Sequence, residues 1–188
     1  MIPYITPDDI AAVTEVLQSG MLIQGKHVGL LENKIRQIAN VKEAVAVSNG
    51  TATLHLALIS LGIGKGDEVI VPAFSYVATA NVVELVGATP VFVDIDSDTF
   101  NIDVSKIKAV ITEKTKAIIP VHEFGLACNI SEVISIALTN KIHVIEDAAC
   151  ALGAKENEQP VGSFGIVASF SLHPGKSVTS GEGGIITT

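Results

Sequence analysis

From Ala44 onward, short β-branched runs alternate with stretches of helical length, and no other feature limits the fold of this chain so tightly. The runs Ala44–Val47, Glu68–Val71, Val91–Val93, Ala117–Val121 and His143–Ile145 are separated by the amphipathic or Ala-rich stretches Thr51–Leu61, Tyr76–Val86, Val104–Ile111 and Ile130–Thr139. Strands that are apolar along their whole length need cover on both faces, and the intervening helices supply it. The pattern therefore predicts an α/β fold, a mainly parallel sheet with helices on both sides. Beyond Asp147 the helical stretches stop, and Val167–Phe170 and Gly184–Thr187 read as further strands joined by Gly-rich loops. Upstream, Thr6-Pro7-Asp8-Asp9 has the form of a helix start, with Gly20 to end it. Leu30, Leu31, Ile35 and Ile38 mark a second helix after a loop containing Gly25 and Gly29, so residues 1–40 are expected to form peripheral helices.

A chain of 188 residues holds one domain with a substantial core. Its net charge of −8 comes without any Lys/Arg cluster, which excludes the concentrated positive charge that a nucleic-acid surface requires. No apolar run reaches the roughly 20 residues that span a bilayer, and the opening residues lack the basic-then-apolar layout of a secretion signal, so a cytoplasmic protein with no membrane partner is expected. Cys128 and Cys150 form no CxxC pair and have no histidine at metal-finger spacing; both read as buried free thiols, with neither a metal nor a disulfide.

Three segments carry candidate chemistry. Ser48-Asn49-Gly50-Thr51-Ala52 leaves a strand and opens a helix, where free N–H groups and the helix dipole favour an anion; the plainer reading is a turn in which Gly50 supplies conformational freedom and Thr51 caps the helix. Glu146-Asp147 ends a buried strand, and ligands of open parallel sheets sit outside such C-terminal ends, so Asp147 is placed to hold a protonated heterocyclic nitrogen; the alternative is an ordinary cap or loop ion pair. Lys176 lies in a Gly-rich, largely uncharged loop, where desolvation favours the neutral amine that attacks carbonyls, against the alternative of a solvated surface lysine. His122 ends a strand and could face the same crevice. Gly62-Ile-Gly64-Lys-Gly66 follows a helix and precedes a strand, which makes it a turn rather than a dinucleotide loop.

These segments, with Gly66-Asp-Glu-Val-Ile-Val-Pro72, Val77-Ala-Thr-Ala-Asn81, Pro90-Val-Phe-Val-Asp94, Ile119-Pro-Val-His122, Glu146-Asp-Ala-Ala149, Val161-Gly-Ser-Phe-Gly165 and Gly181-Glu-Gly-Gly184, resemble the DegT/DnrJ/EryC1/StrS family of pyridoxal-phosphate (PLP) dependent sugar aminotransferases. The resemblance implies that residues 1–188 are the cofactor-binding large domain, built on a sheet of the seven-stranded type, with the family's smaller domain absent after Thr188. It implies PLP as cofactor, Lys176 as the Schiff-base lysine and proton shuttle, and Asp147 on the pyridine nitrogen. It places Gly50, Thr51, Ala52 and Ser171 at the cofactor phosphate, Tyr76 over the ring, and Cys150 near the cofactor where the family often has Gln or His. It further implies a homodimer that moves an amino group, usually from glutamate, to a keto group of a nucleotide-linked sugar. A sugar dehydratase on the same scaffold has histidine in place of the lysine, so Lys176 argues against it; a fragment that keeps the fold without turnover is the third possibility.

Overall fold

The computed structural model describes residues 2–188. The chain runs through α1 (Pro7–Ser19), α2 (Lys26–Ala39), β1 (Ala44–Val47), α3 (Gly50–Ser60), β2 (Glu68–Pro72), α4 (Ala78–Leu85), β3 (Thr89–Val93) and α5 (Val104–Ile107). It continues through β4 (Thr115–Ile118), α6 (Ile130–Asn140), β5 (His143–Asp147), a hairpin of β6 (Lys155–Glu156) and β7 (Gln159–Pro160), β8 (Val167–Ser171) and β9 (Gly184–Thr187). Seven strands form one sheet in the order β1-β9-β8-β5-β4-β2-β3. β3, β2, β4, β5 and β8 are parallel neighbours, whereas β9 runs antiparallel to both β8 and β1.

Because side chains alternate across a strand, the continuous apolar runs feed two cores at once. Val69 and Val71 enter one cluster and Ile70 the other; Ala117 and Ile119 face the first and Ile118 the second; Ile145 and Val144 divide in the same way. α3 and α4 close the first core with Leu54, Ala57, Leu58, Val82 and Val83. α5 and α6 close the second with Ile107, Ile130, Val133 and Ile136. A third cluster packs Ile35 and Ala39 of α2 on Ala168, Phe170 and Ile185 of β8 and β9. Each of the larger side chains among them, Val, Leu, Ile or Phe, contributes about 1.5–3 kcal/mol on removal from water, before the entropy of ordering it is counted.

The structure departs from the sequence pattern at several boundaries. The stretch Val104–Ile111 is helical only to Ile107, followed by a 3₁₀ turn over Lys108–Val110 and extended backbone at Ile111. The helix expected from Tyr76 starts at Ala78, leaving Tyr76 in the preceding loop. β4 begins at Thr115, and its extension to Val121 survives only as single bonds, Ile119 N–H to Ile70 O (2.8 Å) and Asp147 N–H to Pro120 O (2.9 Å), with a bridge between Val121 and Asp147. The β6–β7 hairpin turns through Asn157 and Glu158, both at positive φ (48° and 66°). A glutamate in that conformation gives no turn signal, so the hairpin was invisible to sequence reading.

Candidate active site

The C-terminal ends of the parallel strands and the turn into α3 enclose a cavity of about 620 Å³. Gly50, Thr51, Tyr76, Asp147, Cys150, Ser171 and Lys176 all line it. Residues 126 positions apart in sequence, Gly50 and Lys176, thus border one space.

At the α3 end the cap differs from the one expected. Asn49, in extended conformation, is the cap: its Oδ1 accepts the Ala52 N–H at 2.8 Å. Thr51 is therefore not the cap, and Ala52, whose N–H is used by Asn49, does not line the cavity. Gly50 is required for space rather than for conformational freedom, since a Cβ there would lie 2.8 Å from the Ser171 Cβ. At Gly184 of β9 a Cβ would lie 2.4 Å from the Asn49 carbonyl oxygen. Below the turn, the buried hydroxyls of Thr53 and Ser169 bond to each other, and Thr53 Oγ1 also donates to Gly50 O at 2.5 Å. The first turn of α3 is held against β8 and β9, with Gly50 and Thr51 facing the cavity, where first-turn N–H groups have no helical partner.

Asp147 ends β5 and is buried. Its Oδ2 accepts from Thr79 Oγ1 at 2.8 Å and its Oδ1 from the Ala149 N–H at 3.2 Å. Burial pushes its carboxyl above the usual range, against the opposing pull of those two bonds, of His122 and of Lys176. A buried carboxylate so placed is stabilised by a cation supplied from the cavity.

Glu146, its neighbour, serves another purpose. Its Oε2 accepts the Gly162 N–H at 2.8 Å and lies 3.2 Å from His122 Nε2, while Oε1 accepts the N–H groups of Phe164 and Gly165, both at 2.8 Å. His122 Nδ1 accepts the Cys128 N–H at 3.1 Å, so the ring proton sits on Nε2 and is donated to Glu146. His122 is fully buried and does not reach the crevice as the sequence allowed. Although burial works against the charge, the His122 and backbone N–H donors hold the Glu146 carboxyl below its ordinary range.

Lys176 sits half-buried in the β8–β9 loop. Its backbone N–H donates to His173 O at 2.9 Å, the Gly175 N–H donates to His173 Nδ1 at 3.0 Å, and Lys176 Nζ donates to Cys150 Sγ at 3.1 Å. The two thiols have opposite settings: Cys128 is buried, and burial pushes its thiol well up, whereas Cys150 is exposed at the cavity, contrary to the sequence reading. Tyr76 lines the cavity while remaining 76% exposed. Three contributors escaped the sequence reading. Asn49 carried a legible signal, a cap residue before a helical run; Thr79 and Glu123 carried none beyond their places in the chain.

The family model for the DegT/DnrJ/EryC1/StrS aminotransferase family matches residues 3–188. The chain is 43% identical over 187 residues to a GDP-perosamine synthase of Escherichia coli O157:H7, covering 99% of this chain and 51% of that protein. It is 46% identical over 186 residues to a UDP-4-amino-4-deoxy-L-arabinose–oxoglutarate aminotransferase of Shewanella sediminis, covering 99% and 48%. Among solved structures, an aminotransferase from Psychrobacter cryohalolentis superimposes with a TM-score of 0.96 at 39% identity, covering all of this chain and 48% of that one. The PLP form of Spr1654 from Streptococcus pneumoniae does so with a TM-score of 0.95 at 37% identity, covering 99% and 51%. The chain spans about half the length of the relatives it matches. With a matching model along nearly its whole length and relatives well above 30% identity, this chain belongs to the DegT/DnrJ/EryC1/StrS aminotransferase family.

Proposed function

We propose that this chain is the PLP-binding large domain of an aminotransferase that moves an amino group, with glutamate as donor, onto a keto group of a nucleotide-linked sugar. The observation that carries the proposal is the meeting of Lys176, Asp147 and the α3 N-terminus in one cavity. The residues present fit the cofactor. A first helical turn with the Thr51 and Ser171 hydroxyls suits a phosphate, a buried carboxyl held by the neutral donors of Thr79 and Ala149 suits a protonated ring nitrogen, and an amine at the cavity wall suits an aldehyde. When bound, PLP supplies an electron sink for the carbanion chemistry of amino transfer.

The protein's own work is holding and proton movement. With PLP bound, Gly50, Thr51 and Ser171 would hold the phosphate, and Ala52 would support them through the turn that Asn49 caps. Asp147, oriented by Thr79 and Ala149, would hold a proton on the ring nitrogen. Lys176 Nζ would be the amine that takes the aldehyde and the base that moves a proton during amino transfer, oriented by Cys150 at 3.1 Å. Tyr76, at the cavity wall in the β2–α4 loop, would contact the ring.

The substrate reading draws on the names of relatives, a GDP-perosamine synthase, a UDP-4-amino-4-deoxy-L-arabinose–oxoglutarate aminotransferase and the spore coat polysaccharide protein SpsC of Bacillus subtilis; oxoglutarate is what glutamate becomes after giving up its amine. We place the protein in the cytoplasm as a homodimer in polysaccharide precursor synthesis. No helix among the described residues is long and apolar enough to cross a membrane. Addition of PLP should produce a lysine-linked absorbance band that is lost in Lys176→Ala; identical spectra for the two proteins would refute the assignment.

A further inference from the structure

Glu123 is the outstanding loose end of the cavity. Among the described residues, its Oε1 is the one buried side-chain oxygen or nitrogen without a hydrogen-bond partner. The residue is only 8% exposed, and it lines the same cavity as Asp147 and Lys176. Its backbone is held in place at the cavity wall. The Glu123 N–H donates to Asn101 Oδ1 at 2.9 Å, Gly125 N–H closes on His122 O at 3.3 Å, and Leu126 N–H closes on Glu123 O at 2.9 Å. Phe124 and Gly125 hold the intervening turn at φ 53° and 86°.

Sharing the cavity with this carboxyl are the Asp147 carboxyl from β5, Lys176 from the β8–β9 loop and the Ser75 hydroxyl from the β2–α4 loop. Burial raises its proton affinity most and Asp147 adds to the effect, while Ser75 and Lys176 oppose it. A charged Glu123 would lie near a second buried carboxylate with one oxygen unsatisfied. A neutral Glu123 offers an O–H donor to whatever fills the cavity.

Besides the aldehyde assigned to Lys176, PLP has three polar features: the phosphate arm, the ring nitrogen and a phenolic oxygen. The first two are provided for by the α3 turn and Asp147; the third is an acceptor, and the thiol of Cys150 is a weak donor for it. We propose that Glu123 completes the cofactor site as a neutral carboxylic acid whose O–H donates a hydrogen bond to the phenolic oxygen of PLP. This inference rests on the cofactor assignment made above.

The test uses the full chain as wild type, Glu123→Gln, Glu123→Leu and Lys176→Ala, each titrated with pyridoxal 5′-phosphate. The readouts are cofactor affinity by equilibrium dialysis and the pH midpoint of the bound chromophore. The Gln amide still donates, so Glu123→Gln should keep the wild-type affinity and midpoint. Glu123→Leu should bind about tenfold more weakly, the worth of one hydrogen bond, and shift the midpoint. A Leu variant matching wild type, or a Gln variant as impaired as Leu, overturns the role of Glu123 while the site stands. A wild type with no chromophore dependent on Lys176 overturns the cofactor assignment and this inference together.

Discussion

Glu146 and Asp147 are adjacent acids with opposite tasks, and the two-residue period of a strand is the reason: neighbours on β5 point to opposite faces. Asp147 meets Thr79 beside the cavity, and Glu146 fastens the 162–165 turn and His122 behind it. A carboxyl held below its unfolded value stabilises the fold above the ordinary carboxylate range, and that contribution disappears as pH falls through the folded value. Glu146→Gln replaces one accepting oxygen by an amide donor facing N–H groups, and should lower unfolding free energy by about 2–4 kcal/mol at neutral pH. Urea titrations at successively lower pH should show the gap between variant and wild type closing. The sequence made Asp147 legible through its place at the end of an apolar run. The role of Glu146 was not, because, besides the His122 ring, its partners are backbone N–H groups of a loop 16 to 19 residues downstream, which leave no mark in the side-chain pattern.

Among the helices, legibility followed local chemistry. The start of α1 was readable because its signals are its own: Thr6 Oγ1 accepts the Asp9 N–H, Asp9 Oδ2 accepts the Thr6 N–H at 2.8 Å, and Gly20 ends the helix at φ 69°. What covers a helix is not local. Ile10, Val13 and Leu17 form a stripe at helical spacing, yet they are 60%, 60% and 62% exposed and α1 buries none of its residues. The triple substitution Ile10, Val13 and Leu17→Gln should therefore change the unfolding free energy of this chain by no more than about 0.5 kcal/mol, measured by chemical denaturation. The expected helix over 104–111 failed for the complementary reason. Ile107 is wholly buried under the sheet, and the chain must turn extended by Ile111 to reach β4, so tertiary routing overrides the local pattern.

For the molecule as a whole, the sheet was legible because seven apolar runs must be covered from both sides. Strand order was not legible, since the sequence holds no mark of which run lies beside which. Nor was the antiparallel direction of β9, which follows from the return of the chain through the Lys176 loop. The two-sided burial sets a gradient of local stability. In hydrogen-exchange mass spectrometry the amides of β2, β4 and β5 should open only with global unfolding, at least about a thousandfold more slowly than those of α1, which packs little against the body.

The position of β9 also sets an order of events. Its partners are β1, nearly 140 residues earlier in the chain, and β8, and its Gly184 is where the backbone presses on the Asn49 carbonyl. As the polypeptide emerges from the ribosome, the turn at Asn49 is made well before β9 and waits, unsupported, for that strand to slot in beside it. A firmly seated turn at Asn49 is thereby reserved for chains in which β9 has already docked.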